Sequence, residues 1–227
     1  MLEPIVDAGF DLSNAAFPYL AASELSVCAG VAARLFRVSF CGELGYEIAV
    51  PARYGDALFR RLLRTGAPLG AIPYGTEALG AMRIEKGFVA GGEINGQTTA
   101  GDLGLGKLLS TKKDYVGRVL AGREGLRDPA RPVLVGLKPL DPNVKLRAGA
   151  HLAAVGKVGS TTVSEGFVTS AAHSPGLQSW IALGLLAHGT ARLGERIRVL
   201  DPLQGVESPA EVCSPVLVDP EGVRVRS

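Results

Sequence analysis

The chain has 227 residues, 47% of them hydrophobic and 20% charged, enough for one large domain or two modest ones and too apolar for a disordered or low-complexity chain. Lysine and arginine total 24 against 22 acids, a formal net charge of +2 with no stretch of five or six like charges, which gives nucleic acid no electrostatic footing as a partner. The longest apolar stretches, such as Trp180 to Ala187, fall far short of the ~20 residues of a membrane span, and the 3 cysteines form no C-x-x-C pair, so no disulfide framework and no metal site is indicated and the cytoplasm is expected.

The first residues carry Glu3, Asp7 and Asp11 without a basic start, unlike a secretory leader. The 30 glycines and 14 prolines favour many short elements over a helical bundle. From Arg34 to Phe40 apolar and polar residues alternate, which predicts a strand with Arg34, Phe36, Val38 and Phe40 on its buried face. Cys41-Gly42-Glu43-Leu44-Gly45 brackets two residues with glycines as a hairpin turn does, and Tyr46 to Val50 resumes as a second strand that Pro51 ends. Over Arg53 to Thr65 the residues Tyr54, Leu58, Phe59, Leu62 and Leu63 recur at helical spacing, predicting a helix packed on the hairpin with Gly66 as its stop.

A second helix is predicted over Thr76 to Lys86, with Thr76 as cap, Glu77 in the first turn and a short stripe of Leu79 and Met82. Gly91 to Gly106 reads as an extended, turning segment, and a third, shorter helix starts at Asp114. Gly122 to Pro132 has no periodicity, and beyond it Val133 to Leu137, Thr161 to Thr169, Ile181 to Leu186, Ile197 to Leu200 and Val216 to Val218 are strand-like. The expected fold class is α+β, with domains at 1–128 and 129–227, the second a small β-barrel.

Most catalytic signatures are missing. No G-x-S-x-G elbow supports a nucleophilic serine, and His151, His173 and His188 have no recognisable catalytic partner. The run Thr169 to Pro175 around His173 reads as an ordinary turn, with a polar site of His173 beside Ser170 and Ser174 as the alternative. Gly156 to Thr161, G-K-V-G-S-T, has the letters of a phosphate loop in the wrong order and reads as a hairpin turn, and Gly104 and Gly106 belong to no dinucleotide fingerprint. Glu43 and Glu47 are the best pair. A carboxylate accepts two parallel hydrogen bonds, which suits a guanidine-like edge such as an arginine or a pterin, although exposed hairpin acids are the plain alternative.

Several segments are familiar: Arg37 to Ile48 (R-V-S-F-C-G-E-L-G-Y-E-I), Tyr74 to Gly87 (Y-G-T-E-A-L-G-A-M-R-I-E-K-G), Glu93 to Lys107, Lys112 to Arg118 and Gly166 to Pro175. In order and spacing they resemble the aminomethyltransferase, or glycine-cleavage T-protein, family. With Asp11 to Pro18 and Cys213 to Gly222 added, the wording is most similar to the C-terminal region of heterotetrameric sarcosine oxidase alpha subunits. The resemblance implies a partial folate-binding domain followed by the family's C-terminal barrel, with tetrahydrofolate as ligand. It places the pterin on Glu47, with Glu43, Tyr46 and Tyr74 as further folate-binding candidates.

In that branch the one-carbon unit of oxidised sarcosine is captured as 5,10-methylenetetrahydrofolate. Flavin and NAD then belong to other domains or partner subunits, and the partners are the other sarcosine oxidase subunits or domains. Two departures qualify the likeness. Leu79 stands where the glycine-cleavage members have a folate-tail arginine, and neither Asp7 nor Asp11 matches the family's catalytic aspartate, whose segment lies upstream of this sequence. No catalytic residue is assigned, and the isolated chain is expected to lack turnover. A non-catalytic folate-binding or assembly module, or a truncated scaffold without ligand, is the alternative.

Overall fold

The computed structural model describes residues 1–156 and 163–227. These form two compact units: Met1–Leu79 with Glu221–Ser227, and Gly80–Pro220. The α+β class and the barrel are as expected; several element boundaries are not.

In the first unit β1 (Ala22–Val27), β2 (Val31–Phe36) and β3 (Glu47–Ala49) form an antiparallel sheet in sequence order. Helix α1 (Gly55–Gly66) lays Leu58 and Leu62 against Val27, Ala33 and Ile48 of that sheet and Ile5 of the segment before it, as its periodicity predicted, while Phe59 stays exposed. Helix α1 ends at Gly66 as expected, and Ala67 to Leu69 follow as a short turn of tighter helix that Gly70, at φ 73°, ends.

The parity of β2 is the reverse of the expectation. Ala33, Leu35 and Arg37 are buried, whereas Arg34 and Phe40 are exposed. The alternation itself is real, and the side chain that upsets the assignment is Arg37, a cation only 1% exposed. The connection to β3 also differs from a two-residue turn. Phe36 pairs with Glu47, which leaves Arg37 to Tyr46 as a long loop, with Gly42 at φ 87° and Gly45 packed so closely that a Cβ there would lie 2.7 Å from the Val38 carbonyl oxygen.

The second unit holds a closed barrel in the order β4-β7-β6-β5-β8-β9. Its strands are β4 (Pro132–Pro139), β5 (His151–Ala154), β6 (Gly166–Ser174), β7 (Ser179–Ala187), β8 (Arg196–Asp201) and β9 (Val206–Cys213). Leu137, Leu152, Val168, Ala182, Leu186, Ile197 and Val212 fill the interior. On the outside, Ile181, Leu183 and Leu185 pack with Ile84, Leu103 and Leu134. Strand β7 is therefore buried on both faces, which is why its sequence is an unbroken apolar run.

Val216 to Val218 is not a strand. The amides of Leu217 and Val218 donate to the Glu85 carbonyl oxygen at 2.8 and 2.9 Å, at the end of helix α2 (Thr76–Glu85). The third helix, α3, begins at Arg118 and ends at Ala121. Thr169 to Ser174 is strand, so the turn expected around His173 comes after it, and His173 packs edge-on against Trp180 across the hairpin with ring centroids 5.9 Å apart. The turn expected over Gly156 to Thr161, and the start of the strand expected from Thr161, lie outside the described residues apart from Gly156. No described helix is long and apolar enough to cross a membrane.

Candidate functional site

Alternation along β3 sends Ile48 into the core and leaves Glu47 and Ala49 on the opposite face. Glu47 lies directly across from Phe36, and Arg34 is opposite Ala49 in the next row. This is the face that the sequence pattern assigned to the core; instead it presents a carboxylate beside a half-buried aromatic ring. Glu47 is exposed and its side chain makes no hydrogen bond or ion pair among the described residues.

The other three candidates are placed differently. Glu43, in the loop, pairs with Arg224 at 2.7 Å. Tyr46 turns inward: its hydroxyl accepts from Arg37 Nη1 at 3.3 Å, its ring stacks 6.5 Å from Phe17, and the guanidinium lies 5.2 Å from the ring centre. Tyr74 is exposed and sits beside Cys41 of the same loop; partial burial first, then the thiol, pushes its hydroxyl above the usual range. All four thus lie on or beside the β2–β3 loop, and Glu47 alone combines exposure with a free carboxylate.

The loop is held from beneath by Arg37. Besides Tyr46, its guanidinium donates to the Phe17 carbonyl oxygen at 3.1 Å, Asn14 Oδ1 at 3.4 Å and the main-chain oxygen of Ser227 at 2.8 Å. Sequence reasoning missed this residue, because an arginine at a core position is unusual unless its donors are satisfied. Asp7 and Asp11 also have structural duties. Asp7 accepts from the amides of Ala29 and Gly30 at 2.7 and 2.8 Å, bracing a turn in which Cys28, Ala29 and Gly30 all have positive φ, and those bonds hold its carboxyl below the usual range. Asp11 accepts from the Ser13 amide at 2.7 Å.

In the second unit a buried polar network joins three of the familiar segments. Glu93 is fully buried and accepts from Arg83 Nη1 at 2.9 Å, the Ala90 amide at 2.8 Å, and the hydroxyls of Thr169 and Ser170, each at 2.6 Å. The register shift between Val168 and Ser170 is a bulge, and it lets two consecutive hydroxyls reach one carboxylate. Burial pushes the Glu93 carboxyl up, but the hydrogen bonds from Ser170, Thr169 and Ala90 and the charge of Arg83 outweigh it and hold it below the ordinary 4.5.

Asp102 behaves alike. Burial raises it, while Arg131 at 2.6 Å and Thr99 bring it below its ordinary 3.8. A carboxyl depressed by folding contributes stability above its unfolded pKa that is lost as pH falls through the folded one. The second unit should therefore keep a constant melting temperature from pH 7 to about 5 and lose it progressively below the ordinary values of 4.5 and 3.8. Calorimetric melting across that range checks this, and Glu93→Gln should flatten the upper part of the slope.

Residues 1–113 match the GCVT N-terminal domain, and residues 133–219 match the glycine cleavage T-protein C-terminal barrel domain. Over 227 residues the chain is 48% identical to the sarcosine oxidase subunit alpha of Rhizobium meliloti (strain 1021), a match covering 99% of this chain and 23% of that protein. It is 36% identical over 180 residues to an aminomethyltransferase of Streptomyces avermitilis, covering 75% of this chain and 46% of the relative. The crystal structure of the glycine cleavage system aminomethyltransferase T from Bartonella henselae superposes with a TM-score of 0.69 at 26% identity, over 82% of this chain and 50% of that one. The chain spans about a quarter of the sarcosine oxidase subunit it matches and about half of the aminomethyltransferases. With both domains of the family matched in order and the fold shared, the chain belongs to the aminomethyltransferase, or glycine-cleavage T-protein, family.

Proposed function

We propose that the chain binds tetrahydrofolate at the β2–β3 hairpin and serves as the folate-side module of a sarcosine-oxidising assembly. The observation that carries the reading is Glu47: an exposed carboxylate without a partner among the described residues, beside Phe36, at the second glutamate of the G-E-L-G-Y-E segment. Such a carboxylate accepts two parallel N–H bonds from the edge of a flat heterocycle, and Phe36 offers apolar surface next to it. Tyr46 fixes the loop from below, Tyr74 flanks it, and Glu43 is its second acid.

Bound there, tetrahydrofolate would supply the amine nitrogens that take the one-carbon unit from the imine of oxidised sarcosine, giving 5,10-methylenetetrahydrofolate and releasing glycine. Glu47, beside Phe36, would hold the ring in one orientation, and positioning would be the principal contribution of this chain. The flavin and NAD chemistry belongs to other domains or subunits, which are its partners in the cytoplasm. The similarity to a sarcosine oxidase alpha subunit across the whole chain supports this assembly over a free-standing aminomethyltransferase. The change of matched domain between residues 113 and 133 supports a division at 128.

Calorimetric titration with tetrahydrofolate tests the reading. Glu47→Gln keeps the shape and removes the charge, and should weaken binding by about 1–3 kcal/mol, the worth of a charged hydrogen bond. Equal affinity of the variant and the parent, or no binding by a folded parent chain, would overturn it.

A further inference from the structure

We propose that the segment Glu221–Ser227 is a positioning strap for the hairpin, and that Glu43 serves the site through this strap and not by touching the ligand. The inference rests on the folate reading of Glu47. Although more than 130 residues separate the strap from the rest of the first unit in sequence, it belongs to that unit. Three anchors hold it there. Val225 is only 3% exposed; the Ser227 main-chain oxygen accepts from buried Arg37 at 2.8 Å; and Arg224 donates to Glu43 at 2.7 Å. The segment is also curled on itself, since Arg226 donates to the carbonyl oxygens of Glu221 and Gly222 at 2.6 and 3.0 Å.

The anchors meet the hairpin at three points of the loop that leads into Glu47. Arg37 immediately follows β2 and binds Tyr46, the residue before Glu47, while Glu43 lies earlier in the same loop. The buried guanidinium therefore links the strap to the start of β3 through one rigid planar group. The two carboxylates of the hairpin divide the work. Glu43 spends its acceptors on Arg224, and Glu47 keeps its own for a ligand.

The test is a charge exchange read in two ways: affinity for tetrahydrofolate by calorimetry, and amide hydrogen exchange of residues 43–48 in the chain without ligand. Glu43→Arg and Arg224→Glu should each weaken binding about fivefold and speed exchange in the loop, since each replaces an attraction by a like-charge contact. The double variant should return both to within about twofold of the parent, and Arg224→Lys should stay near it. Loss of binding in the double variant with exchange restored would show that Glu43 itself touches the ligand and overturn the inference. Unchanged exchange in both single variants would overturn it as well. If the parent binds no tetrahydrofolate, the folate reading falls, and the exchange measurement still decides whether the strap fixes the hairpin.

Discussion

Replacing Glu93 by alanine should lower the stability of the second unit by about 3–5 kcal/mol, because it strands the buried Arg83 guanidinium without its counter-charge. For a domain of this size that is a fall on the order of 10 °C in melting temperature. The carboxylate is fully buried and ties the end of α2 to the bulge of β6, so a single truncation also frees the Ala90 amide and both hydroxyls. Thermal unfolding of the parent, Glu93→Ala and the double variant Arg83→Met/Glu93→Leu separates two contributions. The double variant should recover most of the loss, because apolar residues of similar volume remove both charges together. A double variant as unstable as the single one would mean that the hydroxyl and amide bonds, and not the ion pair, dominate.

Gly166→Ala should be nearly as damaging. Gly166 pairs with Leu152 of β5 and with Leu186 of β7, and an added Cβ would be driven into the Leu185 carbonyl group, with the Leu186 Cα only 2.9 Å away. Backbone on the far side cannot rotate away as a side chain could. The ladder must open, at a cost of about 3 kcal/mol or more. Denaturant unfolding should show a lower midpoint, with faster amide exchange in β5 and β7 and little change in β1 to β3. Loss confined to β5, with β7 protected as in the parent, would place the strain on the other side of the strand.

Much of the fold was legible where burial is one-sided and the period is simple. Helix α1 follows the spacing of Leu58 and Leu62, and β7 follows its apolar run. Strand β9 left little trace because its inward residues are Ser208, Ala210 and Val212, with Pro209 in the middle of the strand. Small side chains satisfy a crowded barrel interior without looking hydrophobic, and a proline lowers the strand signal. The face of β2 was misread for the opposite reason: Phe36, Val38 and Phe40 look like core residues, yet the buried position belongs to Arg37, whose acceptors come from residues 14, 17, 46 and 227.

The functional segments were recognisable as wording, and their division of labour was not. Arg83, Glu93, Thr169 and Ser170 come from three separate runs that share one buried network, and Lys86 meets Asp219 of a fourth at 2.7 Å. Only tertiary structure shows that those runs hold the second unit together. Spacing alone also left Glu43 and Glu47 equivalent. Arg224 separates them, and no local pattern could place it beside a residue 181 positions earlier.

The partnership of Arg37 with Ser227 spans 190 positions of sequence, so it sets an order of events as well as a geometry. Translation at ~5–20 residues per second puts roughly ten to forty seconds between the appearance of the arginine and that of its acceptor. In that interval every strand of the barrel emerges and can close through the β4–β9 pairing. The hairpin leaves the ribosome before the barrel, yet it receives this anchor only after the strands of the barrel have emerged.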